Sequence, residues 1–429
     1  MIRSKFPPKS KWKSLSQRPS ASSASLESDV RGILERVAQR GDSALLELTE
    51  KYDGVSLNTI AISEEEIFDS ESKVSAELKG AIQLAKGNIE AFHRSQVLKE
   101  ERVETVPGVS CWREARAIER VGLYVPGGSA PLFSTVLMLG VPAVLAGCSD
   151  IILCTPPDAN GNVNPIILYC AKLLGIRKVF KVGGAQAIAA LAYGTESIPA
   201  VSKIFGPGNS YVTKAKELVQ EKGVAIDMPA GPSEVLVIAD STAVPEFVAS
   251  DLLSQAEHGP DSQVLLLSDS NRVIAEVLEE IDRQLPTLKR RAIAEMALNA
   301  SRVIQFENIE QCLQFSNYYA PEHLIIASEN AEEYVPLVQN AGSVFLGNYS
   351  CESAGDYASG TNHTLPTNGF AKAYSGVSVD SFIKKITFQN ISARGIKEIG
   401  PAIETMAKAE LLDGHANAVT VRLKSLSNV

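Results

Sequence analysis

An α/β fold built on parallel sheet is what the sequence predicts, from three observations. Apolar runs of strand length recur through the middle of the chain, helix-like segments separate them, and glycine-rich turns join the two. A strand that returns to pair in parallel needs a crossover connection, and a helix supplies it.

In chain order, the first 25 residues hold six Lys/Arg, eight Ser and no Asp or Glu. That composition resembles an organelle transit peptide but lacks the apolar stretch of a secretory signal. It runs straight into an apparent helix, so residues 1–24 are read as an N-terminal arm, with targeting as the lesser alternative. From Ser28, a fitting N-cap, Val30, Ile33, Leu34 and Val37 recur at helical spacing, and Gly41 is a fitting stop. Further helices follow to about residue 100. Ile151–Cys154, Val179–Val182, Lys203–Phe205, Val235–Ile238 and Val264–Leu267 read as buried strands. Gln186–Ala192 and Thr213–Val219 read as helices between them, the second stopped by Gly223. Leu324–Ala327 is strand-like, and Ser343–Leu346 is a strand before a Gly/Ser-rich loop reaching about Asn368.

With 45% hydrophobic residues in 429, the chain can bury a large core. Its 41 basic against 50 acidic residues and lack of a basic block argue against nucleic acid or an anionic membrane as partner. No run approaches the roughly 20 apolar residues of a membrane span. Six scattered cysteines without a CxxC pair fit buried thiols in a reducing compartment, so a cytoplasmic protein is expected.

Four places hold candidate chemistry. The turns Val125–Ser129, Val182–Gln186 and Gly206–Ser210 each lie where a strand gives way to a helix. Backbone N–H groups at helix N-termini favour phosphate, and glycine allows close approach. None is GxGxxG, so ordinary tight-turn glycine stands beside nucleotide binding as a reading. Gln255 and His258, at i and i+3 on a helix end, face the same way and would begin a metal site, although glutamine is a poor ligand. Glu322 and His323, side by side before a strand, have the residue types of a general acid–base pair; residue types alone favour a solvated loop pair. Asp356 and His363 share a small-residue loop, while Glu410 and His415 flank the turn Leu411–Gly414, and folding would have to assemble any common site. His93 has no such company and reads as structural.

These residues lie in longer blocks that resemble the histidinol dehydrogenase family nearly end to end. The blocks are Arg40–Asp42, Gly122–Pro131, Gly183–Ile188, Phe205–Asn209, Pro229–Glu234, Gln255–His258, Pro321–His323, Glu352–Leu365 and His415–Val419. The resemblance implies two Rossmann-like parallel-sheet domains without the usual glycine fingerprint, plus the arm and a C-terminal helical segment. Their expected extents are 25–120 with 235–370, 121–234, and 371–429. It implies one zinc ion held by Gln255, His258, Asp356 and His415, an acid–base pair of Glu322 and His323, and NAD+ contacts from Tyr124, Gln186 and Asn209. Substrate contacts would come from Ser233, Gln255, His258, His323, Asp356, Glu410 and His415, with His363 an additional one. Arg18-Pro19 resembles the family's arm. The implied partner is a second copy, in a homodimer whose C-terminal segments bring Glu410 and His415 to the other subunit's site. The implied reaction is the zinc-dependent oxidation of L-histidinol through histidinal to L-histidine with two NAD+, closing histidine biosynthesis. A relative oxidising a sulfonated diol would share the zinc and acid–base residues. More distant readings are a zinc hydrolase and a non-catalytic nucleotide-binding module.

Overall fold

The structure, a computed structural model, describes residues 1–19, 24–97, 100–127 and 132–427. Contacts divide it into two compact units, Met1–Ser95 with Ile118–Phe382, and Gln96–Ala117 with Ile383–Val429.

The first unit contains two parallel sheets. One has five strands, β4 (Arg120–Tyr124), β5 (Asp150–Thr155), β6 (Lys178–Lys181), β7 (Lys203–Phe205) and β8 (Ala225–Ile226), in the order β6-β5-β4-β7-β8. The other has six, β1 (Ile2–Lys5), β9 (Glu234–Ala239), β10 (Gln263–Ser268), β11 (Arg302–Gln305), β12 (His323–Ala327) and β13 (Ser343–Leu346), in the order β1-β11-β10-β9-β12-β13. Every pairing in both is parallel. Apart from β1, each sheet starts at a central strand, steps outward on one side, then crosses to the other. The strand order therefore reverses between β4 and β7 and again between β9 and β12, and ligands of open α/β sheets gather at the carboxyl side of such switch points. At the β9/β12 switch the space is taken by the protein's own groups: Ser328 and Thr242 hydroxyls donate to Asp240, and Asn348 bonds the Thr242 and Val244 main chain. At the β4/β7 switch it opens into a cleft.

Strands buried on both faces explain the continuous apolar runs: all of Val235–Ala239 and Val264–Leu267 is buried. The helix over Ala24–Asp53 lays Leu26, Val30, Ile33, Leu34 and Val37 against the five-stranded sheet and the helix Gly184–Tyr193. It begins one turn before Ser28, because Leu26 extends the apolar stripe backwards. Gly41, at φ +52° and ψ −132°, breaks it, and the Glu196 carboxylate accepts the Asp42 N–H on the far side at 2.7 Å.

The arm is packed rather than separate. Ile2–Lys5 extends the six-stranded sheet by pairing with Arg302–Gln305. Trp12 and Leu15 enter a core with Phe306, Phe315 and Tyr319, the indole meeting Phe315 edge-on at 5.4 Å. Two buried apolar residues and one added strand dock a basic, serine-rich stretch. His93 is buried and bonded through Nδ1 to the Ile89 carbonyl at 2.8 Å, a structural histidine.

The second unit is a three-stranded antiparallel sheet, β2 (Arg102–Val106), β3 (Val109–Ala117) and β14 (Ile383–Ile391), with helices Ala393–Ala409 and Asp413–Ser427 packed on each other. The C-terminal segment expected to be helical therefore opens on a strand. Among the described residues the buried apolar side chains of this unit are Val109, Ala407, Ala416 and Val419. No described helix is long and apolar enough to cross a membrane.

Candidate active site

The switch-point cleft of the five-stranded sheet has a volume of about 1110 Å³ and brings Tyr124, Gln186 and Asn209 together, with Gly127, Gly184 and Asp53. Tyr124 ends β4; its buried hydroxyl accepts the Gly184 N–H at 3.0 Å, and burial pushes the phenol up to about 12. Helices Gly184–Tyr193 and Ser210–Val219 turn their N-termini toward the same cleft. Asn209 Oδ1 caps the second by accepting from Tyr211 and Val212, both at 3.1 Å, which leaves its amide N–H groups as donors. The turn before Asn209 is clamped. Asp227 accepts the Gly206 N–H, Lys216 donates to the Gly206 carbonyl, both at 2.8 Å, and Lys216 and Asp227 form a buried ion pair. Gly206 sits at φ +132°, where a Cβ would lie 2.1 Å from the Tyr124 carbonyl oxygen. Two oriented helix ends over a glycine-lined floor can hold a phosphate-bearing ligand. Gly128-Ser129 of the first glycine turn, and Ala130-Pro131 of the longer block, lie outside the described residues.

A second cleft of about 790 Å³ is lined by Arg18, Gly231, Ser233, His258 and Asn368, and again by Asn209. Asn209 thus borders both spaces.

His323 opens β12 at its amino end and Glu322 directly precedes it, at the opposite end from the filled switch point. Both are held by the main chain of Glu234, the first residue of β9: its N–H donates to Glu322 Oε2 at 2.9 Å, and its carbonyl accepts from His323 Nδ1 at 3.3 Å. A carbonyl only accepts, so the imidazole proton is assigned to Nδ1 and the lone pair to Nε2. That Nε2 is buried with no hydrogen-bond partner among the described residues, 3.7 Å from Asp356 Oδ1. Burial pushes His323 down to about 3, against the Glu234 hydrogen bond and with His258 and His363 adding to the shift. Burial likewise holds the Glu322 carboxyl well above its ordinary range, with Glu234 and Asp356 charges adding to it. The pair is therefore buried and hydrogen-bonded rather than a solvated loop pair, and it holds the groups that proton transfer requires.

Gln255 is in the last turn of the helix Pro245–Ala256 and His258 in the turn just beyond it, Gln255 Nε2 lying 2.9 Å from His258 Nδ1. Gln255 Oε1 is buried without a partner among the described residues. Asp356, on the short helix Glu352–Tyr357, is raised to about 7 by burial. Its carbonyl accepts from His363 Nδ1 at 3.1 Å, and burial pushes His363 down to about 4. Glu410 and His415 belong to the second unit and are exposed there. Among the described residues no group of three or more His, Cys, Asp or Glu is arranged to hold a metal ion.

Three participants have no local sequence signal. Glu352 is 1% exposed, both its oxygens lack a hydrogen-bond partner among the described residues, and Oε1 is 3.9 Å from His323 Nδ1. Burial and the charges of Asp356, Glu322 and Asp251 hold it well above the ordinary carboxyl range. Asp251 is itself pushed up to about 7 by burial. Glu234, the third, fixes the acid–base pair through its main chain. Asp251, Glu322, Glu352 and Asp356 together form a buried cluster of carboxyl groups whose ionised forms burial and mutual repulsion disfavour.

The family profile described as histidinol dehydrogenase matches residues 16–423. The chain is 60% identical over 422 residues to a histidinol dehydrogenase of Bacteroides thetaiotaomicron, covering 98% of this chain and 99% of the relative. It is 52% identical over 427 residues to that of Vibrio parahaemolyticus, covering 97% and 98%. The crystal structure of histidinol dehydrogenase from Elizabethkingia anophelis superposes with a TM-score of 0.98 at 59% identity, over 100% of this chain and 99% of that one.

Proposed function

The chain belongs to the histidinol dehydrogenase family and is a dehydrogenase, and we propose that it oxidises L-histidinol through histidinal to L-histidine with two NAD+ and one water, releasing two NADH and three protons. The observation that carries this substrate is the buried cluster of Asp251, Glu322, Glu352 and Asp356 around His323, in which both Glu352 oxygens lack a hydrogen-bond partner among the described residues. A substrate bearing an ammonium and an imidazole suits it, and a sulfonated diol would add an anion to four buried carboxyl groups. A hydrolase would leave the large switch-point cleft without a use.

NAD+, bound along the cleft of Tyr124, Gln186 and Asn209, would accept a hydride in each of two rounds, and zinc, held by Gln255, His258, Asp356 and His415, would clamp the substrate's nitrogens. In the first round His323 Nε2 takes the proton of the substrate hydroxyl while its Nδ1–H stays on the Glu234 carbonyl. In the second, Glu322 takes a proton from the water that adds to the aldehyde carbon. Ser233, His363 and Glu410 orient the substrate. Burial of the pair excludes bulk water and so retains the aldehyde between rounds. Glu410 and His415 act on the site of a partner subunit, in a cytoplasmic homodimer. Support for a shared site is that, among the described residues, no group of three or more His, Cys, Asp or Glu of this chain is arranged to hold a metal ion.

The test is the assay of purified protein with L-histidinol and NAD+, counting both products. Two NADH per histidine are expected; one NADH with free aldehyde would overturn the two-round reading. For the metal, His258→Asn should lower zinc to well below half an atom per subunit by elemental analysis, whereas a full atom would remove His258 from the ligand set.

A further inference from the structure

We propose that Arg18, carried on the N-terminal arm, is a positioning residue for the Glu322–His323 pair, acting through Glu234. The proposal rests on the acid–base roles given to that pair above.

Glu234 is the only residue whose main chain bonds both members of the pair, among the described hydrogen bonds. A shift of that one peptide would turn the Glu322 carboxyl and, at the same time, release the His323 Nδ1 proton from its acceptor. Besides the ladders that β9 makes with β10 and β12, the Glu234 side chain anchors this peptide; it is almost fully buried and so depends on its partners. Arg18 supplies two N–H donors, Nη2 at 2.8 Å and Nε at shorter range. The Tyr319 hydroxyl lies 2.9 Å from both Glu234 Oε2 and Gln263 Oε1. Gln263 closes the circuit by donating to the Gln17 carbonyl at 3.1 Å, next to Arg18 in the arm.

Arg18 also reaches the pair from the other side. Its guanidinium lies 3.7 Å from the centre of the Tyr319 ring and donates to the carbonyls of Tyr319 at 2.9 Å and Ala320 at 3.4 Å. Ala320 is a buried non-glycine residue at φ +56°, a left-handed conformation that strains an L side chain. It is followed directly by Pro321 and Glu322. One side chain therefore grips both the β9 residue that bonds the pair and the strained turn that delivers it. The planar five-donor fork of arginine fits this double grip, and lysine does not.

The test compares Arg18→Met, Arg18→Lys and the double variant Arg18→Met/Glu234→Gln with the wild-type enzyme, using L-histidinol and NAD+. Arg18→Met strands a buried carboxylate and is the variant at risk of not folding. The double variant removes that charge and keeps the packing, so it tests the positioning role by itself. Expected for the folded double variant is a fall in kcat of about tenfold or more, KM for both substrates within about threefold, and a larger primary deuterium isotope effect with histidinol labelled at the carbinol carbon. Arg18→Lys should lose most of the same kcat. A double variant with a wild-type melting profile, wild-type kcat and unchanged isotope effect would overturn the proposal, as would loss confined to KM. The acid–base reading is checked separately with Glu322→Gln and His323→Asn. Full activity in those two sinks the reading itself, whatever Arg18 does; their inactivity beside a fully active double variant sinks only the role of Arg18.

Discussion

Glu322 has one oxygen on the Glu234 amide and sits beside His323 in a space closed to bulk water. Glutamine at 322 keeps the shape and that hydrogen bond but cannot take a proton. Glu322→Gln should therefore slow the aldehyde step by about 10²–10⁴ while sparing the alcohol step to within about tenfold. Single-turnover assays started from histidinol and from histidinal decide it, and equal losses on both would contradict the role. Asp53 gives a pH-linked expectation. Burial raises its carboxyl to about 6 from 3.8, and its Oδ2 has no hydrogen-bond partner among the described residues. Folding thus costs least when the group is protonated in both states, and stability falls as pH climbs from about 4 to 6. With partial exposure discounted, the loss is on the order of 1 kcal/mol. Asp53→Asn should be the more stable protein at pH 7 and show a flatter stability profile between pH 4 and 6 in urea titrations. At this scale the adjacency of Glu322 and His323 and the i, i+3 spacing of Gln255 and His258 were legible, because each is local. Glu234, Glu352 and Arg18 were not, since what surrounds them comes from other elements of the fold, as with Glu234 and Glu322 88 residues apart and Arg18 and Tyr319 301 apart.

Parallel strands covered on both faces leave unbroken apolar runs, which is why Val235–Ile238 and Val264–Leu267 can be read directly. The strand Arg120–Tyr124 escapes the same reading because Gly122 interrupts it; in the fold that glycine makes room for Leu191, whose side chain would lie 2.9 Å from a Cβ there. Arg102–Val106 escapes for another reason, being mostly exposed and polar with no alternating apolar face. The glycine turns were legible as turns but not as one site; residues of all three line the single cleft that the β6-β5-β4-β7-β8 order opens. Gly206→Ala tests how tightly that joint is built. A methyl group would meet the Tyr124 carbonyl at φ +132°, so the strand end and the Asn209 turn must separate. The expected cost is about 2–4 kcal/mol in stability, with KM for NAD+ raised by about tenfold or more. A variant with unchanged melting and unchanged KM would mean that the joint yields freely.

The two tryptophans of the chain fall one in each unit, Trp12 and Trp112. Trp12 is packed in an aromatic core, while Trp112 stacks on Phe388 at 5.4 Å in a unit with few buried apolar side chains. Since stability follows buried apolar area, the single-tryptophan variants Trp12→Phe and Trp112→Phe should unfold at different urea concentrations. The Trp112 signal should change first, by roughly 1 M, and its midpoint should rise with protein concentration if a second copy covers that unit. Coincident midpoints at every concentration would show a single cooperative molecule. The arm brings a further consequence, one of timing. Ile2–Lys5 pair with Arg302–Gln305, 300 residues downstream, and Arg18 meets Glu234 and Tyr319. At translation rates of about 5–20 residues per second, the basic segment is made roughly 15–60 s before its docking strand exists. Through that interval it is an unclaimed cationic tail on a growing chain, open to any cellular factor that binds such tails, and the Arg18 contacts with Glu234 and Tyr319 form only once the tail is surrendered to the fold.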